Sequence, residues 1–265
     1  MKKEYIGSCH ICGKYGKLTF EHIPPKCAMN NKNAKAYTGD SLIQLISEKN
    51  RYPWEREGVK YKLLQKGFGD YTLCSNCNNL TGTLYGEEFA KWFYSVLEMI
   101  RINKEDYKKA ESIQFSFKDV YPGRFIRQIL SIICSTYPDF TKKYPFVKDL
   151  ILDKNYKYQD IPNFKIYMYL LKNTYTGYTG VMGMFLKNGT VEWIDEIDIY
   201  PFGFYLCLSG QEKNETDITK FINYGYNEKA VIDFSMNIHE KNNLFPTDFR
   251  TKEEIINSIK KEYQN

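Results

Sequence analysis

The spacing of apolar positions changes along the chain, and with it the elements they predict. Residues 18–23, Leu-Thr-Phe-Glu-His-Ile, have strand composition and are stopped by Pro24-Pro25, which cannot extend a strand ladder. A short helix is expected over residues 41–49. Downstream of Leu84 and Phe89, the residues Trp92, Phe93, Val96, Leu97 and Ile100 recur at helical spacing and predict an amphipathic helix. Residues 103–160 read as mainly helical. Phe125, Ile126, Ile129, Leu130 and Ile133 form their core stripe, and Tyr137-Pro138-Asp139 marks a break. From residue 163 the texture becomes short β-rich runs, at 164–171, 180–186, 190–197, 202–208 and 230–234. Lys187-Asn188-Gly189-Thr190 places an Asn-Gly turn between two of them, a hairpin signal, with Trp193 expected in the core of that hairpin. Thr251-Lys252-Glu253-Glu254 has capping-box spacing and opens a helix expected to reach about Tyr263. The fold class this predicts is α+β: a helical middle, then a C-terminal antiparallel sheet packed with helices.

A chain of 265 residues fits one large domain or two small ones. The change of texture suggests a division into residues 1–102 and 103–265. The hydrophobic share of 43 % is enough for a buried core and excludes wholesale disorder. No apolar run approaches the roughly 18–20 residues of a membrane span. Residues 1–7 are charged with no apolar stretch after them, unlike a signal peptide, so a cytoplasmic address is expected.

Charge sharpens the picture by its distribution. The net charge is +5. Residues 1–80 hold 13 Lys and Arg against 7 Asp and Glu, and the remainder holds 24 against 25. The first third is therefore the expected contact for a polyanion, although an ordinary solubilising surface can carry as much. In the second half Tyr167, Tyr169, Tyr175 and Tyr178 offer rings for stacking on bases. With 23 tyrosines in the chain, composition explains them equally well.

The seven cysteines carry the strongest local signal. Four form two CxxC pairs, Cys9-His10-Ile11-Cys12 and Cys74-Ser75-Asn76-Cys77. An odd total and a cytoplasmic address argue against a disulfide framework. Two residues between thiolates let both sulfurs reach one tetrahedral ion at about 2.3 Å, so the pairs predict a structural zinc site. The 61 residues between the pairs exceed the spacing of a compact ribbon. Cys134 and Cys207 lie in apolar stretches and read as buried small residues. Cys27 is either a spare thiol near the metal or a packing residue. Glu21 and His22, adjacent on a strand, would face opposite sides of it. Asn78, just after the second pair, would cap a helix starting there or offer its carbonyl oxygen to a hard cation.

The order of these motifs resembles a known family. CxxC, then Glu-His followed by Ile-Pro-Pro, then Leu-Cys-x-x-Cys-Asn-Asn-x-x-Gly is similar to the HNH endonucleases of the His-Me finger (ββα-metal) superfamily, in the branch with a CxxC…EH…CxxCN…G pattern. The likeness covers short stretches within residues 9–100. It implies an N-terminal zinc-stabilised ββα-metal finger in residues 1–102, interrupted by an insertion of about residues 30–69. It implies that Cys9, Cys12, Cys74 and Cys77 bind structural Zn2+. His22 would be the general base, and Glu21 and Asn78 the ligands of a catalytic divalent ion such as Mg2+. The family's Asn ahead of the second knuckle has no counterpart in residues 67–73, where Asp70 is the nearest polar substitute.

The expected activity is metal-dependent hydrolysis of phosphodiester bonds, DNA favoured over RNA. Lys14, Lys17 and Lys26 are candidates to hold the phosphate backbone. The likeness also makes a role in mobile elements or antiphage defence plausible, with a protein partner engaged through residues 103–265. The missing Asn motivates an alternative, a non-catalytic zinc-stabilised nucleic-acid-binding module.

Overall fold

The computed structural model describes residues 4–49, 51–186 and 189–262. Cys9 and Cys12 occupy the turn of an N-terminal hairpin, between β1 (Ile6–Ser8) and β2 (Tyr15–His22). Gly13 holds φ +74° in that turn, a conformation glycine adopts without steric cost, and its N–H closes on the Cys9 carbonyl at 2.8 Å. β2 stops ahead of Pro24-Pro25. The chain then makes an excursion through β3 (Ala34–Ala36), α1 (Gly39–Lys49) and β4 (Lys62–Leu64), in which β3 and β4 pair antiparallel. It returns as β5 (Gly69–Cys74), antiparallel to β2, and passes directly into α2 (Ser75–Leu84). The sheet β1-β2-β5 with α2 beside it carries both cysteine pairs.

The predicted amphipathic helix is α3 (Gly86–Ile102), which buries Phe89, Trp92, Phe93, Val96 and Ile100. Trp92 is fully buried, with the ring of Phe125 at 4.1 Å and that of Phe117 at 4.3 Å. Its indole N–H donates to Glu88 at 2.8 Å, and Glu88 also accepts the Tyr121 amide, so this buried carboxylate is satisfied. Trp92→Ala would remove the largest side chain of the core and strand Glu88. We expect a loss of about 3–5 kcal/mol in urea unfolding. A loss under about 1 kcal/mol would show that the core collapses around the gap.

Residues 103–160 are only partly the helical block expected. After α4 (Lys104–Lys109) the chain forms β6 (Ser112–Val120). Ile113, Phe115 and Phe117 alternate there with Gln114, Ser116 and Lys118, a period of two rather than 3.6. The pairing partner of β6 lies far downstream, so the strand becomes evident only in the tertiary fold. The helices α5 (Pro122–Thr136), α6 (Phe140–Lys143) and α7 (Pro145–Leu152) follow. Pro122 and Pro145 sit at the starts of α5 and α7, where a missing N–H costs no helical bond. α5 is buried along nearly its whole length. The N–H groups of its buried Arg127 are satisfied by backbone, donating to the carbonyls of Gly123, Leu150, Tyr156 and Tyr224.

The second half forms β7 (Lys165–Leu171), β8 (Thr176–Phe185), β9 (Val191–Ile199), β10 (Phe202–Cys207), β11 (Thr216–Asp217), a 3-10 turn at Thr219–Asn223, and β12 (Ala230–His239). Together with β6 they make one sheet in the order β6-β12-β7-β10-β9-β8, with β11 beside β7. Every pairing is antiparallel except β12 with β7. Of the expected Asn-Gly turn, Asn188 lies outside the described residues, but Phe185 pairs with Val191 as that hairpin requires. Trp193 is not in the core: it is 53 % exposed. By the β9 alternation it shares a face with the buried Asp195, Ile197 and Ile199, but it stands at the start of the strand beside the exposed Val191. Thr251 and Glu254 close the expected capping box reciprocally at 2.7 and 3.2 Å ahead of α8 (Lys252–Glu262); Tyr263 lies outside the described residues.

One hydrophobic cluster runs from Cys9, Ile11 and Leu73 through Trp92, Phe125 and Ile133 to Phe204 and Met236. The N-terminal sheet and the large sheet thus share a core, and α5 lies within it. A smaller cluster of Tyr167, Tyr169, Leu171, Ile194, Tyr205 and Cys207 covers the other face of the large sheet. Tyr167 and Tyr169 are therefore buried and withdrawn from any stacking role, while Tyr178 remains 41 % exposed.

Asp195 on β9 is fully buried beneath α5. Thr136 donates to one of its oxygens at 2.6 Å, and the other has no partner among the described residues. Burial pushes its carboxyl up to about 7 from 3.8. An acid raised in the fold binds its proton more tightly when folded, so its contribution favours the fold at low pH and is lost as pH rises from about 4 to about 7. Asp195→Asn should therefore raise the melting temperature relative to wild type at pH 8 and lose that advantage at pH 5. Thermal melts at the two pH values check this, and a difference that does not change with pH would contradict it.

Candidate metal centre and active site

The four predicted cysteines meet. Their sulfurs all lie within 4.8 Å of one another, with Cys12 and Cys74 3.9 Å apart. A tetrahedral ion bonded to sulfur at about 2.3 Å places its ligands about 3.8 Å apart, so the cluster has the size of a zinc site. Each pair arrives on a rigid element, Cys9 and Cys12 on the β1–β2 turn, Cys74 at the end of β5 and Cys77 in the first turn of α2. Cys9 is pulled down to about 4 by a hydrogen bond from Cys77 and by the backbone N–H groups of Ile11, Cys12 and Cys74. Cys77 is pushed up by the neighbouring Cys9 and by burial. Thiols packed this closely resist sharing negative charge until a cation joins them. The cluster is compatible with a structural metal such as zinc, and four thiolates would leave that ion no open position.

The first knuckle is tied to the helical core through His10. Its Nδ1 is 3.1 Å from the Cys134 carbonyl at the end of α5, its N–H donates to the Thr72 carbonyl, and its own carbonyl accepts from Thr141. Cys27 stands apart from the cluster, donating to the Gly86 carbonyl at 3.1 Å. Cys134 and Cys207 are fully buried.

Glu21 and His22 end β2, paired across the ladder with Asp70 and Gly69 of β5. Being adjacent on a strand, their side chains face opposite ways. The His22 ring lies on the side of Phe20, edge to face at 5.1 Å. Its Nε2 is 2.9 Å from the Lys66 carbonyl, an atom that only accepts. Nε2 therefore carries the proton, and the lone pair is on Nδ1. Burial lowers the proton affinity of His22. The charges of Lys26 and Lys66 lower it further, and the Lys66 carbonyl bond opposes them. The ring is thus held neutral beside two ammonium groups.

Glu21 is 4 % exposed, and among the described residues no hydrogen bond or ion pair reaches its carboxylate. Burial alone pushes it up to about 8. It lies on the side of Thr19, the side covered by α2, where the Asn78 amide donates to the Thr19 hydroxyl at 3.0 Å and the Phe20 carbonyl at 2.9 Å. Asn78 is thus one turn inside α2 and not its cap, and its Oδ1 has no donor among the described residues. The hairpin brings Glu21 and Asn78 to one side and His22 to the other.

Asp70 does not touch His22. It accepts the amide of Tyr71 at 2.7 Å and stays exposed. The asparagine that organises this end of the hairpin is Asn30. It is buried, and its amide donates to the carbonyls of Pro24 and Phe68 at 2.7 Å, while its Oδ1 accepts the Phe68 N–H at 2.6 Å. These bonds clamp the two chain segments that flank the hairpin end, including the Lys66 carbonyl that orients His22. Gly67 adopts φ +97° against Asn30, and a side chain there would strike the Asn30 backbone. A Gly-x-Gly in front of β5 was the sequence signal for this close approach; nothing in the sequence distinguishes Asn30 from its neighbour Asn31.

Of the three lysines singled out, only Lys26 borders His22. Lys14 is exposed on the knuckle turn. Lys17 is paired with Glu4 at 2.6 Å, five residues and about 16 Å along β2 from His22. Lys66 was not anticipated. No family model, curated protein or solved structure matches the chain. No helix among the described residues is long and apolar enough to cross a membrane.

Proposed function

We propose that the protein is a metal-dependent endonuclease of the HNH type that hydrolyses phosphodiester bonds, DNA favoured. The observation that carries this reading is the hairpin end. There a neutral histidine is held by one nitrogen with the other free, two lysines stand beside it, and a buried carboxylate lacks a protein partner. A carboxylate buried without a partner is costly to retain for structure alone, which supports a ligand role for Glu21.

In this reading Lys26 and Lys66 hold the phosphate. His22 takes a proton from water at Nδ1 while the Lys66 carbonyl keeps Nε2–H in place and so fixes the tautomer. The water oxygen bonds to phosphorus and the ester bond on the opposite side breaks. Glu21 and the Asn78 Oδ1 are the oxygen donors for a hard divalent ion such as Mg2+, which when bound neutralises charge on the leaving oxygen. The thiolate cluster fixes β2, β5 and α2 to one another and takes no part in the chemistry.

A specific observation favours the second reading, a non-catalytic zinc-stabilised nucleic-acid-binding module. Glu21 and His22 face opposite sides of β2, and the Asn78 amide is already engaged with the strand. Divalent-ion-dependent cleavage of plasmid DNA and of RNA by the zinc-loaded protein decides between them, with His22→Ala alongside. Equal cleavage by both proteins, or none by either across metals and substrates, would overturn the nuclease reading. Salt-sensitive binding without hydrolysis would establish the module instead.

A further inference from the structure

A cavity of about 630 Å3 lies between the excursion that interrupts the hairpin and the large sheet. Its sides carry aromatic rings, Tyr37 from the excursion and Tyr175 and Tyr178 from the start of β8. Arg56 bridges these walls, its guanidinium 5.1 Å from the Tyr37 ring and 5.8 Å from that of Tyr175. Lys35 and Lys62 line the same wall as Tyr37 and are exposed, and with Arg56 they outnumber the exposed carboxylates of Asp40 and Asp70 around the cavity by one charge. The innermost lining residues are Glu196, Asp198 and Lys241, each 2 % exposed or less.

The inner end holds two acids, yet it is close to neutral. Glu196 pairs with the Lys241 ammonium through one oxygen and accepts the Thr247 amide at 2.6 Å through the other. Asp198 accepts the Tyr169 hydroxyl at 2.6 Å. Burial and the nearby Glu196 hold its proton on well above the usual carboxylate range. A site for a metal or an amine would present net negative charge at its deepest point. Here the deep end presents the mutually paired Glu196 and Lys241 beside the Asp198 carboxyl, the sides are flat and aromatic, and the excess positive charge stands at the mouth. That sequence of chemistries matches a nucleotide, with its polar-edged base, its π faces and its phosphate.

We propose that this cavity binds one nucleotide, its base between the tyrosine rings and its phosphate on Arg56, Lys35 and Lys62. Gly69 and Asp70 also line the cavity, and they are the cross-strand partners of His22 and Glu21. The bound nucleotide therefore lies one strand away from the candidate catalytic histidine; that last step rests on the nuclease reading. The nucleotide is either an unpaired residue of the substrate strand or a free mononucleotide.

The test uses full-length, zinc-loaded protein carrying His22→Ala, without added divalent ion, so that nothing is cleaved. Binding of labelled single-stranded DNA and RNA oligonucleotides is read by fluorescence anisotropy, and that of AMP, GMP, CMP and UMP by calorimetry. Arg56→Ala and Tyr178→Ala, both at partly exposed positions outside the core, should each weaken binding by about tenfold with the melting temperature unchanged. Loss confined to oligonucleotides assigns the cavity to the substrate strand; loss for mononucleotides as well assigns it to a free ligand. If one variant does not fold, the other still reads the site. Unchanged binding in every folded variant, or no binding of either kind, overturns the proposal. Failure of the wild-type protein to cleave would sink the nuclease reading and leave this result standing.

Discussion

Serine in place of any one of Cys9, Cys12, Cys74 or Cys77 is expected to lower the zinc content from one ion per chain towards none, with a loss of several kcal/mol of stability. The cluster joins three points of the N-terminal sheet and its helix: the β1–β2 turn, the end of β5 and the first turn of α2. Structural zinc contributes roughly 10–16 kcal/mol of binding free energy in isolated fingers, comparable to the 5–15 kcal/mol that holds a whole domain together. The full amount is not at risk here, because Ile11, Leu18, Leu73 and Cys77 also belong to the shared core. The knuckle is held as well by the His10 bonds to α5 and to β5. We therefore expect the hairpin to loosen first and the melting temperature to drop by many degrees, with the large sheet persisting longest. Metal analysis by mass spectrometry and thermal melts before and after chelation measure this. Cys27→Ser, away from the cluster, should change neither quantity. An unchanged melt in a metal-free protein would mean that the thiol cluster is not a structural metal site.

The parts legible in the sequence were those written in local chemistry. Two CxxC pairs, the double proline after β2, the helical spacing around Trp92 and the Thr251–Glu254 box each depend on residues a few positions apart, and each is found where expected. What escaped was written in long-range contact. β6 alternates like a strand, but only β12, more than a hundred residues on, turns that alternation into a ladder. Trp193 looked like core because it is large and apolar, and the β9 alternation does give it the face of Ile197 and Ile199, yet it stands at the start of the strand beside the exposed Val191. The same limit applies at the candidate site. Glu21 and His22 were visible as a pair, and their opposed directions follow from strand geometry. Asn30 acts through Pro24 and Phe68, and Lys66 acts through its carbonyl, roles that no side-chain pattern encodes. The cavity beside them requires the excursion to fold back onto β8, so none of its chemistry is contiguous in the chain.

His22→Ala is expected to reduce the rate of phosphodiester cleavage by about 10²–10⁴ while leaving zinc content and melting temperature unchanged. The stability half follows from its surroundings: the ring is half-buried, and its loss leaves one surface carbonyl to water. The rate half follows from the tautomer. With Nε2–H fixed on the Lys66 carbonyl, the basic atom that His22 presents on its side of β2 is Nδ1. Its removal forces water to ionise without help, a barrier increase of about 3–5 kcal/mol. Asn30→Ala should fall between wild type and His22→Ala, because Asn30 touches no reacting atom and only holds the segment that holds the ring. It should lower kcat with KM nearly unchanged and cost about 1–3 kcal/mol of stability, since the part-buried Phe68 amide loses its acceptor. A purely structural role for Asn30 would lower the melting temperature and leave kcat of the folded protein intact. Single-turnover cleavage measured alongside calorimetric melts separates the two. A His22→Ala protein that cleaves as fast as wild type would remove His22 from the chemistry, whatever Asn30 does.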